Sequence, residues 1–175
     1  MTAADIGGMG ERIAIALWPS MRLVKSGSHE DLEGMDAWDE GRRIQIKTDR
    51  RIDETENVFH EIYKRDGTWE SYGPGVVGAW RRSPSNADEY VFVGQKVAVR
   101  ATVDMLARAE GSLVLKSLRP NGSGEETAMG FLIPIARLVD LDADVRRHKL
   151  WPVAGPAKTD KKLTLEDMFS GRRAR

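Results

Sequence analysis

Residues 34–49, GMDAWDEGRRIQIKTD, constrain the fold more than any other part of the chain. Two stretches in which apolar and polar residues alternate flank the sequence Asp39, Glu40 and Gly41. Alternation of this kind around a short glycine-containing turn is typical of a β-hairpin. With Glu40 and Gly41 as the two turn residues, Asp39 is predicted to face Arg42 on the neighbouring strand.

That register divides the hairpin into a polar face and an apolar face, because successive side chains of a strand point to opposite sides. It places Asp36 directly opposite Gln45, with Trp38 and Lys47 on the same polar face. Opposed Cβ atoms lie about 4.5–5.5 Å apart, and diagonal neighbours about 7–8 Å. A carboxylate, an amide and an ammonium are therefore predicted to converge. The apolar face is predicted to carry Met35, Ala37, Ile44 and Ile46.

Convergence of these groups suits phosphodiester hydrolysis, which needs a divalent cation and a second positive group beside the phosphate. Asp36 would supply an anionic oxygen, Gln45 an amide oxygen, and Ile46 a backbone carbonyl. Lys47 would orient water, and Glu11 would complete the site from the preceding helix. The competing interpretation is a cross-strand salt bridge between Asp36 and Lys47, worth about 0.2–1 kcal/mol.

Composition narrows the class of cation and of partner. The 175-residue chain contains no cysteine, so thiolate ligands are excluded and oxygen-preferring ions such as Mg²⁺ or Mn²⁺ fit best. Lys+Arg and Asp+Glu both number 27, so no global positive field indicates a nucleic-acid partner. The N-terminus lacks the pattern of a secretory signal and no apolar run is long enough to cross a membrane, which predicts a cytoplasmic protein.

Length predicts one domain, residues 1–150, followed by a linker-like basic tail with a short helix, residues 151–175. Further periodic and capped segments predict the remaining elements. The predicted helices are residues 9–18, a helix capped by Thr102 that runs through Ala109, and residues 136–147. The predicted strands, besides the hairpin, are residues 57–64, 89–93, 112–118 and 128–135, with an irregular crossover at residues 67–88.

The row Asp36, Gln45, Ile46, Lys47 resembles the PD-(D/E)XK nuclease signature in its glutamine variant, QXK. Downstream, IKTDRRIDETENVFHEI is similar to a stretch of small phage and bacterial members, in which K-T-D precedes a T-G-N-hydrophobic-hydrophobic-hydrophobic-E strand; Glu56 stands here in place of that glycine. NADEYVFV is similar to a later block of the same proteins. The likeness covers about residues 11–93 and implies an α/β fold, with a restriction-endonuclease-like αβββαβ core and a mixed central sheet. The C-terminal strands are predicted from their own sequence patterns, since the likeness says little about residue 94 onward.

The resemblance implies a magnesium-dependent deoxyribonuclease, most simply an endonuclease, that acts on DNA, with RNA left open. A homodimer or a larger nucleoprotein assembly is compatible with it. Gln45 leaves the site one negative charge short of the usual pair of acids, which weakens cation binding. The alternative is a catalytically weak or inactive nuclease-fold module that binds nucleic acid or protein. An unrelated β-rich interaction domain is a third reading.

Other polar residues near the hairpin carry alternative interpretations. Glu61 is an acid that supports the metal ligands from behind, a metal ligand itself or part of a solvated face, and Asp49 either tunes Lys47 or begins a loop. His60 alternates with apolar residues, which favours a buried or edge histidine over a general base. Two arginine pairs are either solvated surface or contacts to nucleic-acid phosphates: Arg50 with Arg51, and Arg81 with Arg82.

Overall fold

The computed structural model describes residues 3–25, 27–28, 35–65, 80–82, 86–118 and 128–152, which form an α/β architecture with two sheets. The described helices are α1 (Ala3–Leu17), α2 (Ile52–Thr55), α3 (Val103–Glu110) and α4 (Ile135–Val139). The described strands are β1 (Arg22–Leu23), β2 (Ala37–Asp39), β3 (Arg42–Thr48), β4 (Asn57–Arg65), β5 (Trp80–Arg82), β6 (Glu89–Val93), β7 (Val97–Thr102), β8 (Lys116–Leu118), β9 (Ala128–Pro134) and β10 (Asp144–Arg147).

The larger sheet is mixed and has the strand order β1-β2-β3-β6-β7-β10. Strands β3 and β6 run parallel, whereas the other neighbouring pairs are antiparallel. The predicted hairpin and the predicted strand at residues 89–93 are both confirmed, and they meet at this parallel pair. A parallel pair requires a crossover connection; its described part contains α2, β4 and β5.

Helix α1 covers one face of the larger sheet. Ile13, Ala14 and Trp18 recur at helical spacing and pack against Ile44 and Val91 of the sheet. Ile13 and Ile44 are almost completely removed from solvent, and each contributes about 1.5–3 kcal/mol of hydrophobic stabilisation. The helix begins earlier than the predicted residue 9 and ends before Pro19, which cannot continue it.

The opposite face of the larger sheet packs against the second sheet and the short helices. Phe92 and Val99 of the larger sheet lie in one buried cluster with Val58 and Ile133 of the second sheet and Leu106 of α3. The larger sheet is therefore covered on both faces. Parallel strands are normally buried in this way, and β6 (EYVFV) is buried along its whole length.

The second sheet is antiparallel and has the order β5-β4-β9-β8. The predicted strand at residues 57–64 exists as β4, but it joins this sheet through β9 instead of extending the hairpin's sheet. The chains approach closely at Gly130, where an added Cβ would overlap the backbone carbonyl of His60. Glycine therefore permits the β4–β9 pairing at this point.

The predicted helix at residues 136–147 is wrong in its second half. Helix α4 ends at Val139, and Asp142 adopts a positive φ of 68° that breaks the helical path. Residues 144–147 then form β10, paired antiparallel with β7. In contrast, α3 is confirmed, and the hydroxyl of Thr102 accepts a hydrogen bond from Met105 N–H at 3.1 Å as an N-cap. None of the described helices combines the length and apolar character needed to cross a bilayer.

Candidate active site

The hairpin has the register that the sequence predicts. Asp39 pairs with Arg42 and Trp38 pairs with Arg43 across a two-residue turn. Both turn residues are left-handed, Glu40 with φ of 49° and Gly41 with φ of 80°. Two consecutive positive φ values define the turn type that matches the twist of a tight hairpin.

Asp36 continues the ladder with its side chain. Regular pairing ends at Ala37, and Asp36 N–H donates to the carbonyl of Ile44 at 2.9 Å. The Asp36 carboxylate then accepts a hydrogen bond from Ile46 N–H at 2.6 Å. On its other side, the Asp36 carbonyl accepts from Val24 N–H at 2.9 Å. The carboxylate is therefore fixed against β3, next to the strand positions of Gln45 and Lys47.

Gln45 has an amide oxygen that lacks a protein partner. The residue is only 6% exposed, and among the described residues its Oε1 is buried without a hydrogen bond. A buried carbonyl-type oxygen left unsatisfied costs about 1–3 kcal/mol. On the parallel strand β6, Gln45 is paired in register with Tyr90, and Lys47 is paired with Phe92. The Lys47 residue is partly exposed. One acceptor position of the Gln45 amide is therefore unused among the described residues.

Glu11 belongs to the helix on the other side of the sheet. Helix α1 packs on the face that carries Ile44 and Ile46, and Gly10 lies against the side chain of Thr48. Alternation along β3 directs Gln45 and Lys47 to the opposite face. The structure thus brings the hairpin residues together on β3 and places α1 across the sheet from them.

Two predicted accessory acids have other surroundings. Glu61 lies on β4, in the second sheet, opposite Gly130 of β9. Asp49 follows β3 and closes the turn into α2: its carboxylate accepts from Arg51 N–H at 2.9 Å and lies 3.6 Å from the Arg51 guanidinium. These contacts favour the interpretation that Asp49 begins a loop over the interpretation that it tunes Lys47.

The predicted arginine contacts fall in two separate places. Arg50 lines a pocket beside the end of β3, whereas Arg51 is engaged with Asp49. Arg81 and Arg82 lie on β5, at the edge of the second sheet, where their backbones pair with β4. These two arginines therefore belong to a different sheet from the hairpin.

His60 is buried, as its alternation with apolar residues predicts. Its Nδ1 contacts a carboxylate oxygen of Glu110 on α3, and its ring packs edge-on against Tyr90 with 4.8 Å between centroids. Tyr90 is also the register neighbour of Gln45. His60 thus links Glu110 of α3 to Tyr90 of β6 through its two contacts.

A second group of charges, on the face under α1, has no counterpart in the sequence predictions. Alternating charges occupy consecutive strands: Asp39 on β2, Arg42 on β3, Glu89 on β6, Arg100 on β7 and Asp144 on β10. Arg100 binds the carboxylates of Asp39 and Glu89, at 2.5 Å each, and Arg42 also pairs with Glu89. We call these five residues the charge row.

Two carboxyls of the charge row, Asp39 and Asp144, have pKa values below the usual range. Burial raises the pKa of the Asp39 carboxyl, but hydrogen bonds from Ser20 and Arg100 outweigh that effect and the net pKa lies below its usual range. The hydrogen bond from the Arg146 guanidinium lowers the pKa of Asp144, whereas burial raises it. The Trp18 indole N–H donates to the same carboxylate at 2.8 Å and lowers the pKa further. Oδ1 of Asp39 is buried without a hydrogen-bond partner among the described residues, but the ion pairs of the row otherwise link its strands and indicate a structural role.

Within the described ranges, no three Asp, Glu or His side chains are grouped closely enough to hold a metal ion. The donors around the hairpin are of a different kind: one carboxylate, one amide oxygen and backbone carbonyls. Comparison with protein-family models, curated proteins and solved structures found no match for this chain.

Proposed function

We propose that this protein is a metal-dependent nuclease of the PD-(D/E)XK type, in its QXK form, and that Asp36, Gln45 and Lys47 form its active site. The observation that carries the proposal is the buried, unsatisfied Oε1 of Gln45, beside a carboxylate that is fixed to the same strand. Natural proteins rarely leave such an oxygen without a partner unless a ligand, an ion or an ordered water fills the position. The mixed α/β sheet, in which the hairpin strand β3 lies parallel to β6, is compatible with a restriction-endonuclease-like core.

The donor set fits a hard divalent cation. Magnesium binds oxygen ligands and commonly uses only one or two carboxylates, with waters and substrate phosphate in the other positions. Asp36 would provide the carboxylate, Gln45 the amide oxygen and Ile46 its backbone carbonyl. When bound, the cation would neutralise the phosphate and lower the pKa of the attacking water. The proposed site does not use Glu11, because α1 covers the other face of the sheet.

The remaining roles fall to the chain itself. The ammonium of Lys47 would orient the attacking water and stabilise negative charge as it develops on the phosphate. Asp36 is held by Ile46 N–H, so its position costs little further ordering when a ligand binds. DNA is the proposed substrate, and cleavage within a strand is the proposed mode.

Cleavage of supercoiled and linear DNA in the presence of Mg²⁺ or Mn²⁺ tests the proposal. Asp36→Asn is preferable to alanine, because the asparagine oxygen can still accept from Ile46 N–H and preserve the hairpin. Asp36→Asn and Lys47→Met should each reduce the cleavage rate by about 100-fold or more. Lys116→Met, on β8 of the second sheet, is a matched control and should cut normally. Undiminished cleavage by both active-site variants would remove the assignment.

A second candidate is a non-catalytic module that binds nucleic acid or protein within a larger assembly. The observation in its favour is that one carboxylate oxygen of Asp36 already accepts a hydrogen bond from Ile46 N–H, which is a structural role. Titration calorimetry with Mn²⁺ separates the two candidates. Binding of DNA without any heat from Mn²⁺ supports the module, whereas Mn²⁺ binding that Asp36→Asn abolishes supports the nuclease.

A further inference from the structure

A basic pocket lies at the carboxyl ends of the parallel strands β3 and β6. It has a volume of about 620 Å³, within the range of sites for small organic ligands. In open α/β sheets, ligands commonly bind at this end of the parallel strands. The pocket is lined by Arg50, Gln95, Lys96, Arg147, His148, Lys149, Trp151 and Pro152.

The lining contains four permanent positive charges and no carboxylate: Arg50, Lys96, Arg147 and Lys149. None of these four forms a salt bridge with an acidic side chain among the residues that the structure describes. Like charges that converge without a counter-ion repel one another, so an anionic ligand would relieve the repulsion.

Asp53 lies outside the pocket lining, at the turn that carries Lys96. Its carboxylate accepts hydrogen bonds from the backbone N–H groups of Gln95 and Lys96, at 2.5 and 2.9 Å. The turn between β6 and β7 is further closed by Gly94 N–H, which donates to the Val97 carbonyl at 2.8 Å. Lys96 is therefore presented from a rigid turn.

The opposite wall is tied to the same turn. His148 N–H donates to the carbonyl of Lys96 at 2.8 Å, and the chain then continues through Lys149 to Trp151. His148 is buried, and within the described ranges its Nε2 lacks a hydrogen-bond partner. The Trp151 indole packs partly on the core and partly lines the pocket, which gives a cationic site one aromatic wall.

We propose that this pocket binds a nucleoside polyphosphate, with the phosphates held by Lys96, Arg147 and Lys149 and the base against Trp151. Phosphate oxygens accept charge-assisted hydrogen bonds from lysine and arginine, and an indole offers a stacking surface to any base. The volume accommodates a ligand of nucleotide size. Binding here needs no divalent cation, so it stands or falls separately from the proposed hydrolysis.

Titration calorimetry in EDTA at low salt tests the proposal with three probes: ATP, inorganic triphosphate and adenosine. ATP and inorganic triphosphate should bind and adenosine should not, and added salt should weaken both complexes. Lys96→Gln and Lys149→Gln should each weaken ATP binding about tenfold, as expected for the loss of one charged hydrogen bond. Lys116→Gln removes a charge on β8 and should leave binding unchanged. No heat from either phosphate probe, or equal weakening by Lys116→Gln, refutes the pocket.

Trp151→Phe separates the base from the phosphates. This variant should lose most of the advantage of ATP over inorganic triphosphate and keep the affinity for inorganic triphosphate.

Competition with oligonucleotides identifies the source of the phosphate. If only a 5′-phosphorylated strand displaces ATP, the pocket binds the ends of nucleic-acid strands. If neither that strand nor its 5′-hydroxyl form displaces ATP, the pocket binds free nucleotides. Equal displacement by both strands, unchanged in the pocket variants, would overturn the proposal in favour of a diffuse polyanion surface.

Discussion

Removal of the central cation of the charge row should destabilise the fold strongly. Arg100 contacts two carboxylates at 2.5 Å, and the side chains of Asp39 and Glu89 are each only 4% exposed. Breaking a buried ion pair from one side typically costs about 3–5 kcal/mol, because a charge is left behind without its partner. Arg42 still neutralises Glu89 in an Arg100→Met variant, so we expect the lower end, about 3 kcal/mol. This corresponds to a fall of about 6–12 °C in melting temperature.

The effect of Arg100→Met should depend on pH. The pKa of Asp39 in the folded protein lies below its value of 3.8 in the unfolded chain, so its stabilising contribution is complete above that value and disappears as the pH falls through the folded pKa. The variant lacks the part of this contribution that Arg100 supplies, whereas Ser20 and Arg42 remain. The difference in unfolding free energy between the two proteins should therefore be largest above about pH 4 and should shrink in more acidic solution.

Urea denaturation followed by circular dichroism, at about pH 7 and about pH 3, measures this difference. Asp39→Asn added to Arg100→Met should recover part of the loss, because the buried charge is then removed. Arg108→Met is the matched control: Arg108 is 62% exposed and its pair with Asp104 spans 3.9 Å, so its loss should cost less than about 0.5 kcal/mol. If Arg100→Met lowered the free energy of unfolding by less than about 1 kcal/mol, which is the scale of a surface ion pair, the charge row would not contain a buried ion pair at Arg100.

Three further predictions concern individual residues. Thr102→Ala removes the N-cap of α3 and should lower the free energy of unfolding by about 1 kcal/mol, measured by urea titration, while Thr102→Ser should restore it. Gly130→Ala would force a Cβ into the carbonyl of His60 and should cost about 3 kcal/mol, with faster amide hydrogen exchange in β4 and β9; unchanged exchange would show that the strands can separate there freely. Asp88 accepts hydrogen bonds from the side chain and backbone of Arg43, which lower its pKa from 3.8 to about 2, so its carboxyl should titrate near that value by NMR and move back towards 3.8 in Arg43→Met.

Local sequence determined the elements whose geometry depends on their own residues. The hairpin register follows from the alternation of residues 34–49 and from two turn positions that tolerate positive φ, and the structure has this register. The start of α3 follows from the hydroxyl of Thr102, and β6 follows from an uninterrupted apolar run. Each signal lies within a few residues of the element that it predicts.

Partner choice between distant segments was not determined in this way. Residues 144–147 were predicted to be helical, yet they form β10 because β7 offers them an antiparallel edge. β4 was predicted as a strand, but its partner β9 lies about 70 residues away and draws it into a second sheet. Hydrogen bonding across a sheet is non-local, so periodicity shows that a strand exists and does not show what it pairs with.

The candidate site shows the same division. Sequence alone predicted that Asp36, Gln45 and Lys47 lie near one another, because hairpin pairing is short-range. Only the tertiary structure decided that Gln45 Oε1 is buried without a partner, since its burial comes from packing between two sheets. The charge row and the basic pocket likewise depend on strand order, which brings together residues that are far apart in the chain. The sequence determines the chemical groups that the side chains carry, whereas the burial and the neighbours of those groups are determined only when the sheets assemble.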